Sequence, residues 1–358
     1  MGFPNKDPVF LWLLEENNPP VRFLTLKNLL KCSPDDSHLN DARLHLMEYS
    51  VTQGILDHFD SYISAASFSE AYSKYRGLYW QAIFLGQFLA DREHPKIRQL
   101  ANWILSDKNW IIKTGGQCLT ANILRALTSL GYGSHPTAVK EREALAERIV
   151  GEDGIKCAAV DYSPLRRCYM AQPKLLLCFA QVPVSERSEN ISKAIEILVR
   201  SLVENEIFIY LPGRKKEWAA ILEKKPKSGE LKKGVTIKAW IEKQREIFLR
   251  ENENEPNSPK DGWTKFGFPL HYNSDILEAL YALSLFDLSL LDLPVSGKLE
   301  SALQVVREKQ TEDGRWLLEN SLNGKMWVDV EEKGKPSKWI TYHALYILNH
   351  FQTGIASL

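Results

Sequence analysis

The stretch "CLTANILRALTSLGYGSHPTAVKEREALAERIV", residues 118–150, holds two helices of opposite character. Cys118 to Tyr132 is apolar nearly all round, whereas Thr137 to Val150 is striped, with its charges on one side. A helix apolar on every side is normally surrounded by protein, and a striped one faces water. The same two kinds alternate along the whole chain. Apolar helices are predicted at Arg22–Leu30, Tyr75–Ala90, Cys118–Tyr132, Cys168–Ala180, His271–Phe286 and Lys338–Phe351. Striped ones are predicted at Leu39–Phe59, Pro95–Asp107, Thr137–Val150, Ser188–Asn205 and Gly297–Gln310. The two-residue alternation of β-strands is hard to find.

Recurrence of a helix pair is the signature of an array. Inner apolar helices surrounded by outer striped ones predict an all-α (α/α)6 toroid, a double α-barrel, as one domain over residues 1–358. An open solenoid has the same period, so closure is not readable from it. A lysine-rich segment, residues 206–262, interrupts the alternation. One amphipathic helix is expected in it, "VTIKAWIEKQREIFLR", with Ile237, Trp240, Ile241, Ile247 and Phe248 as its stripe. The segment reads either as a solvated insertion docked by that stripe or as a lid or partner surface.

Charge and cysteine usage bound the function. Lys plus Arg equals Asp plus Glu, 45 against 45, which argues against non-specific nucleic-acid binding. No apolar run approaches the ~20 residues of a membrane span. The N-terminal "MGFPNKDPVFLWLLEENNPP" lacks the basic start and small-residue cleavage site of a signal peptide. Five scattered cysteines suit a reduced compartment better than a disulfide framework, so a cytoplasmic protein is expected.

Near the C-terminus, "QTEDGRW" (Gln310 to Trp316) fits Q-x3-G-x-W, between a striped helix and the next apolar one. Looser relatives are "GEDGIKC" and "KTGGQC". On these residues the chain resembles the terpene cyclase/protein prenyltransferase-like toroid superfamily. It is most similar to prokaryotic prenyltransferase/squalene oxidase repeat proteins. The resemblance implies the toroid and a central ligand cavity, but neither parent activity carries over. The D-x-D-D motif by which squalene-type cyclases protonate their substrate is absent. So is the D-x-C zinc motif of protein prenyltransferases, and the rhythm of "YHALY" shifts His343 out of their ligand position.

In a toroid all inner helices run the same way, so their N-termini gather at one mouth and their dipoles add there. The first turns supply Arg22, Tyr75, Arg76, Tyr79, Cys118, Asn122, Cys168, Tyr169, Tyr272, Lys338 and Trp339, with Arg125 one turn deeper. Apart from the two cysteines, which are candidates for catalysis or metal binding, these are the expected substrate-binding residues. The arginines and Lys338, joined by Arg166 and Arg167, would suit a carboxylate or phosphate. His271 and Asp275, four apart, would share a helical face as a proton-transfer pair or as a structural one. Cys118, Cys157, Cys168 and His271 form a candidate Cys3His zinc set, although buried cysteine more often simply packs. Cys118 or Cys168 with His271 would alternatively serve as a nucleophile pair. The functional expectation is an enzyme, a transferase or a lyase/isomerase, acting on a small, partly apolar anion in the central cavity. The alternative is a non-catalytic small-molecule-binding or protein-interaction scaffold.

Overall fold

A computed structural model describes residues 7–59, 68–106, 116–151, 154–155, 168–211, 215–231, 234–290 and 295–355. Among the described residues the chain is mostly helical. The N-terminal run holds α1 (Pro8–Leu13), α2 (Pro19–Leu24), α3 (Ser37–Leu44), α4 (Ser50–Asp57) and α5 (Phe68–Tyr72). Next come α6 (Leu78–Gln87), α7 (Pro95–Leu105), α8 (Gln117–Ser129), α9 (Pro136–Val150), α10 (Ala171–Ala180) and α11 (Glu189–Glu204). Strand β1 (Ile209–Leu211), α12 (Lys215–Glu223), α13 (Ile237–Glu251) and strand β2 (Ser258–Pro259) follow. The last helices are α14 (Ile276–Leu283), α15 (Val295–Glu308) and α16 (Lys338–Ile355).

The two helix kinds sort as their sequences require. The apolar ones pack in series, α6 on α8, α8 on α10, α10 on α14, α14 on α16, and α16 on α2 and its π-helical continuation. The striped ones lie against them, α9 on α8, α11 on α10, and α15 on α14 and α16. One apolar cluster runs through both sets, from Leu13 to Phe351. Gly86 sets the approach of α6 to α8, since a Cβ there would lie 2.8 Å from the Ala126 Cα. The Q-x3-G-x-W segment ties α15 to α16. Trp316 is fully buried, its indole N–H donates to the Val306 carbonyl (2.7 Å), and its backbone N–H donates to Thr341 Oγ1 (3.0 Å).

Several boundaries differ from the periodicity, each for a local reason. The helix expected from His271 begins at Ile276, because the Asp275 carboxylate accepts the Glu278 N–H (2.7 Å) and caps it there. The helix expected from Tyr75 begins at Leu78, with Tyr75 itself at φ +67°. The long outer helix expected at Leu39–Phe59 is two helices, α3 and α4. The His45 ring and N–H share the Asp41 carbonyl at its break, and a 3-10 turn follows. In the lysine-rich segment the expected single helix has a partner. Ile241 and Phe248 of its stripe pack on Trp218 of α12 as a separate small core, so α12 covers the stripe. The pair leaves and returns through an antiparallel β1–β2 ladder, a strand pairing that the sequence pattern did not reveal.

Candidate functional site

An irregular segment, residues 265–275, leads into α14 through the interior of the helical series. Such a segment carries backbone N–H and C=O groups with no ladder partners, and burial makes each one costly unless it is bonded. Side chains from three apolar helices supply those bonds. Gln87 of α6 donates to the Leu270 carbonyl (3.0 Å) and accepts the Leu270 N–H (2.8 Å). Asn122 of α8 donates to the His271 carbonyl (3.4 Å). Lys174 of α10 donates to the Asn273 carbonyl (3.4 Å) and to Ser274 Oγ (2.6 Å). The polarity of these otherwise apolar helices is thereby mostly accounted for.

Lys174 also forms a fully buried ion pair with Glu278 of α14, at 2.8 Å. The other carboxylate oxygen, Glu278 Oε1, is buried without a hydrogen-bond partner. Beside it, Asp275 accepts backbone N–H groups from Glu278 (2.7 Å) and Gly267 (2.9 Å). Burial pushes the Asp275 carboxyl up to about 7, and the Glu278 charge adds to that, against the two N–H donors and Lys174.

Arg125 of α8 is the exception. Its guanidinium feels Glu278, Tyr281 and Cys178 electrostatically, yet among the described residues it has no hydrogen-bond or ion-pair partner. Burial draws its pKa down from the ordinary arginine value, with those three neighbours opposing. It stays charged near neutrality, because an arginine starts so high. The buried lysines and arginines among the described residues each have an oxygen acceptor. Arg22 has Glu16 and Asp41, Arg142 has Thr128, Lys174 has Glu278, Arg245 has Glu242, and Lys338 has Glu15. Arg125 lines a small cleft between α6 and α8, with Gln87, Asn122 and Ser129 as its other polar walls. His343 of α16 also feels the Arg125 charge, and burial holds it neutral, its pKa down at about 4. Its Nδ1 bonds the Trp339 carbonyl (2.8 Å), so Nδ1 carries the proton and Nε2 the lone pair. The Tyr281 ring stands edge-on to it at 4.9 Å.

The residues expected at one mouth separate into several surroundings. Tyr75, His271 and Tyr272 do meet. The Tyr75 hydroxyl lies 3.4 Å from His271 Nδ1, which also accepts the Asn273 N–H at 3.2 Å, placing the ring proton on Nε2. Burial and the Lys174, Lys74 and Lys325 charges lower His271 to about 3, so it is a neutral imidazole. It is not hydrogen-bonded to Asp275. With helix α14 starting at Ile276, the expected shared face does not form, and Asp275 spends both oxygens on backbone N–H groups. Arg22 faces Glu16 and Asp41, Lys338 faces Glu15, and Arg76 is exposed, donating to the Gly324 carbonyl (3.4 Å). Trp339 stacks on Phe268 (4.2 Å), Tyr169 stacks on Tyr210 (4.1 Å), and Tyr79 packs on Trp103 (5.6 Å).

Cys118 adds to the field at Tyr272, and Cys168 to that at Tyr210. Cys157, Arg166 and Arg167 lie outside the described residues. Among the described residues no three His, Cys, Asp or Glu side chains are grouped to hold a metal ion. The described part of the zinc set therefore does not fit the group, and no step is derived through it. No helix among the described residues is long and apolar enough to cross a membrane.

Sequence reasoning passed over Lys174 and Tyr281, and it set His343 aside as out of register with a zinc-ligand position. Lys174 had a visible signal, a lysine inside the apolar "AQPKLLLCFA". No family model, curated protein or solved structure matches the chain.

Proposed function

We propose that the apolar helices close as the inner ring of an (α/α)6 toroid and that its interior binds a small, partly apolar anion at Arg125. The observation that carries this reading is the unspent guanidinium. The Arg125 guanidinium is partly buried and, among the described residues, has no oxygen acceptor, so a ligand that supplies one would gain a charge-assisted hydrogen bond there. The charge count agrees in sign. Lys174 and Arg125 against Glu278 leave one excess positive charge in the interior, which suits a monoanionic head group. A planar carboxylate would meet the guanidinium fork with two N–H donors. Ile83, Gly86 and Ala126 line the same cleft and give it an apolar side.

Calorimetric titration with butyrate, benzoate and inorganic phosphate tests the reading. At least one carboxylate should bind the natural chain saturably, and Arg125→Gln should weaken it by about tenfold or more. Equal binding by both proteins, or none by either, overturns it.

The enzymatic form of this reading adds His343, whose Nε2 lone pair has no hydrogen-bond partner among the described residues. Once a bound anion offsets the Arg125 charge, which adds to burial in lowering its basicity, the imidazole would take the proton of a ligand C–H or O–H bond, the electron pair of that bond staying on the ligand. His343→Gln would then leave binding intact and remove turnover. Loss of binding together with turnover would return His343 to a packing role. The scaffold form needs Arg125 alone.

A further inference from the structure

We propose that Tyr75, Trp80 and Tyr272 form an aromatic box for an alkylammonium group, in which Lys74 is a built-in occupant. This inference is independent of the anion reading. The Lys74 ammonium lies 5.2 Å from the centroid of Tyr75 and 5.1 Å from that of Tyr272. Among the described residues it has no ion-pair or hydrogen-bond partner, and it stands over the two ring faces. An ammonium within about 6 Å of a ring centroid is drawn to the negative face of the π-system. Trp80, fully buried, packs against both walls, edge-on to Tyr75 at 4.9 Å and to Tyr272 at 4.8 Å.

The walls are fixed before any ligand arrives. The Tyr272 hydroxyl is bonded to that of Tyr72 at 2.9 Å, and the Tyr75 ring stands edge-on to His271 at 5.4 Å. His271 is neutral, so it adds no repulsion for a cation. Tyr75 sits at φ +67°, a left-handed conformation that is costly for a large side chain and persists only when its surroundings impose it. Those surroundings are present. Gln81 donates to the Tyr75 carbonyl (3.1 Å), and the Gly77 N–H donates to the Ser73 carbonyl (2.7 Å). At Gly77 a Cβ would stand 2.2 Å from the Ala71 carbonyl oxygen, so the turn admits only glycine. Lys74 is exposed on its flexible stem, and a competing cation would displace it. Methylated ammonium ligands suit the box better than lysine, because they shed less water on entering.

The test uses choline chloride as probe, with 3,3-dimethylbutan-1-ol as its neutral isostere, by calorimetric titration of the full chain. Lys74→Gln empties the box and should bind choline about tenfold tighter than the natural protein, with the alcohol about tenfold weaker than choline. On that background Tyr272→Phe should retain binding and Tyr272→Leu should lose it. Lys74 is exposed, so the single variant decides the matter even if the Leu variant fails to fold. Equal choline affinity with and without Lys74, or equal binding of choline and the alcohol, overturns the proposal.

Discussion

Lys174 and Arg125 are cations on neighbouring apolar helices, and both feel Glu278, yet they do opposite work. Lys174 spends its ammonium completely, on Glu278 (2.8 Å), Ser274 (2.6 Å) and the Asn273 carbonyl (3.4 Å). It fastens the 265–275 segment and α14 to α10. Arg125 fastens nothing by hydrogen bond. On the reading proposed above, the difference separates a charge kept for the fold from a charge kept for a ligand. Buried polarity is therefore a sign of function only after the backbone's own demand for partners has been met.

The largest effect expected from this contrast is at Lys174. Lys174→Met strands a buried carboxylate and should destabilise the chain by about 3–5 kcal/mol in urea unfolding. Lys174→Met with Glu278→Leu should recover most of that, since the stranded charge goes with its partner. A double variant as weak as the single would mean that Lys174 acts through the segment's carbonyls instead.

A smaller effect belongs to Asp275, whose two N–H acceptors set the start of α14. Asp275→Ala should cost about 1–2 kcal/mol at the cap. The pH dependence carries further information. The folded Asp275 carboxyl keeps its proton up to about 7, whereas an unfolded one releases it near 4. The folded state thus holds the extra proton between those values, and this group's contribution to stability falls as pH rises from about 4 to about 7. His271 works the other way. Its folded pKa, about 3, lies below the unfolded value near 6.5, so its contribution is present above about 6.5 and is lost as pH falls toward 3. Between pH 4 and 7 the slope of unfolding free energy against pH should accordingly be more positive in Asp275→Ala than in the natural chain. In His271→Gln it should be more negative. Unchanged slopes in both variants would remove titration from the account.

The alternation of helix kinds was legible in the sequence, because burial on all sides leaves an apolar composition that no surface helix tolerates. The start of α14 was legible in principle. Asp275-Ile-Leu-Glu278 has the spacing of a capping box, although Glu278 turns to Lys174 rather than back to the cap. Helical periodicity hid that signal by extending the helix to His271, and the expected His271–Asp275 pair went with it. Gln87 and Asn122 could not be assigned beforehand, since their partners are backbone groups far along the chain. Arg22 and Lys338 were read as cavity cations but face Glu16, Asp41 and Glu15, acidic neighbours that only the packing brings near. Arg125 was visible as the deepest charge on its helix. What the sequence lacked was the fate of every competing acceptor.

The most direct measurement is the stability of Arg125→Met with and without a bound carboxylate. The account predicts that the ligand-free variant is as stable as the natural chain or up to ~2 kcal/mol more so, because an unpaired charge has been removed. It also predicts that the carboxylate-induced rise in unfolding temperature seen in the natural chain is lost. Destabilisation of the ligand-free variant on the scale of Lys174→Met would contradict the account, as would a carboxylate response that survives the substitution.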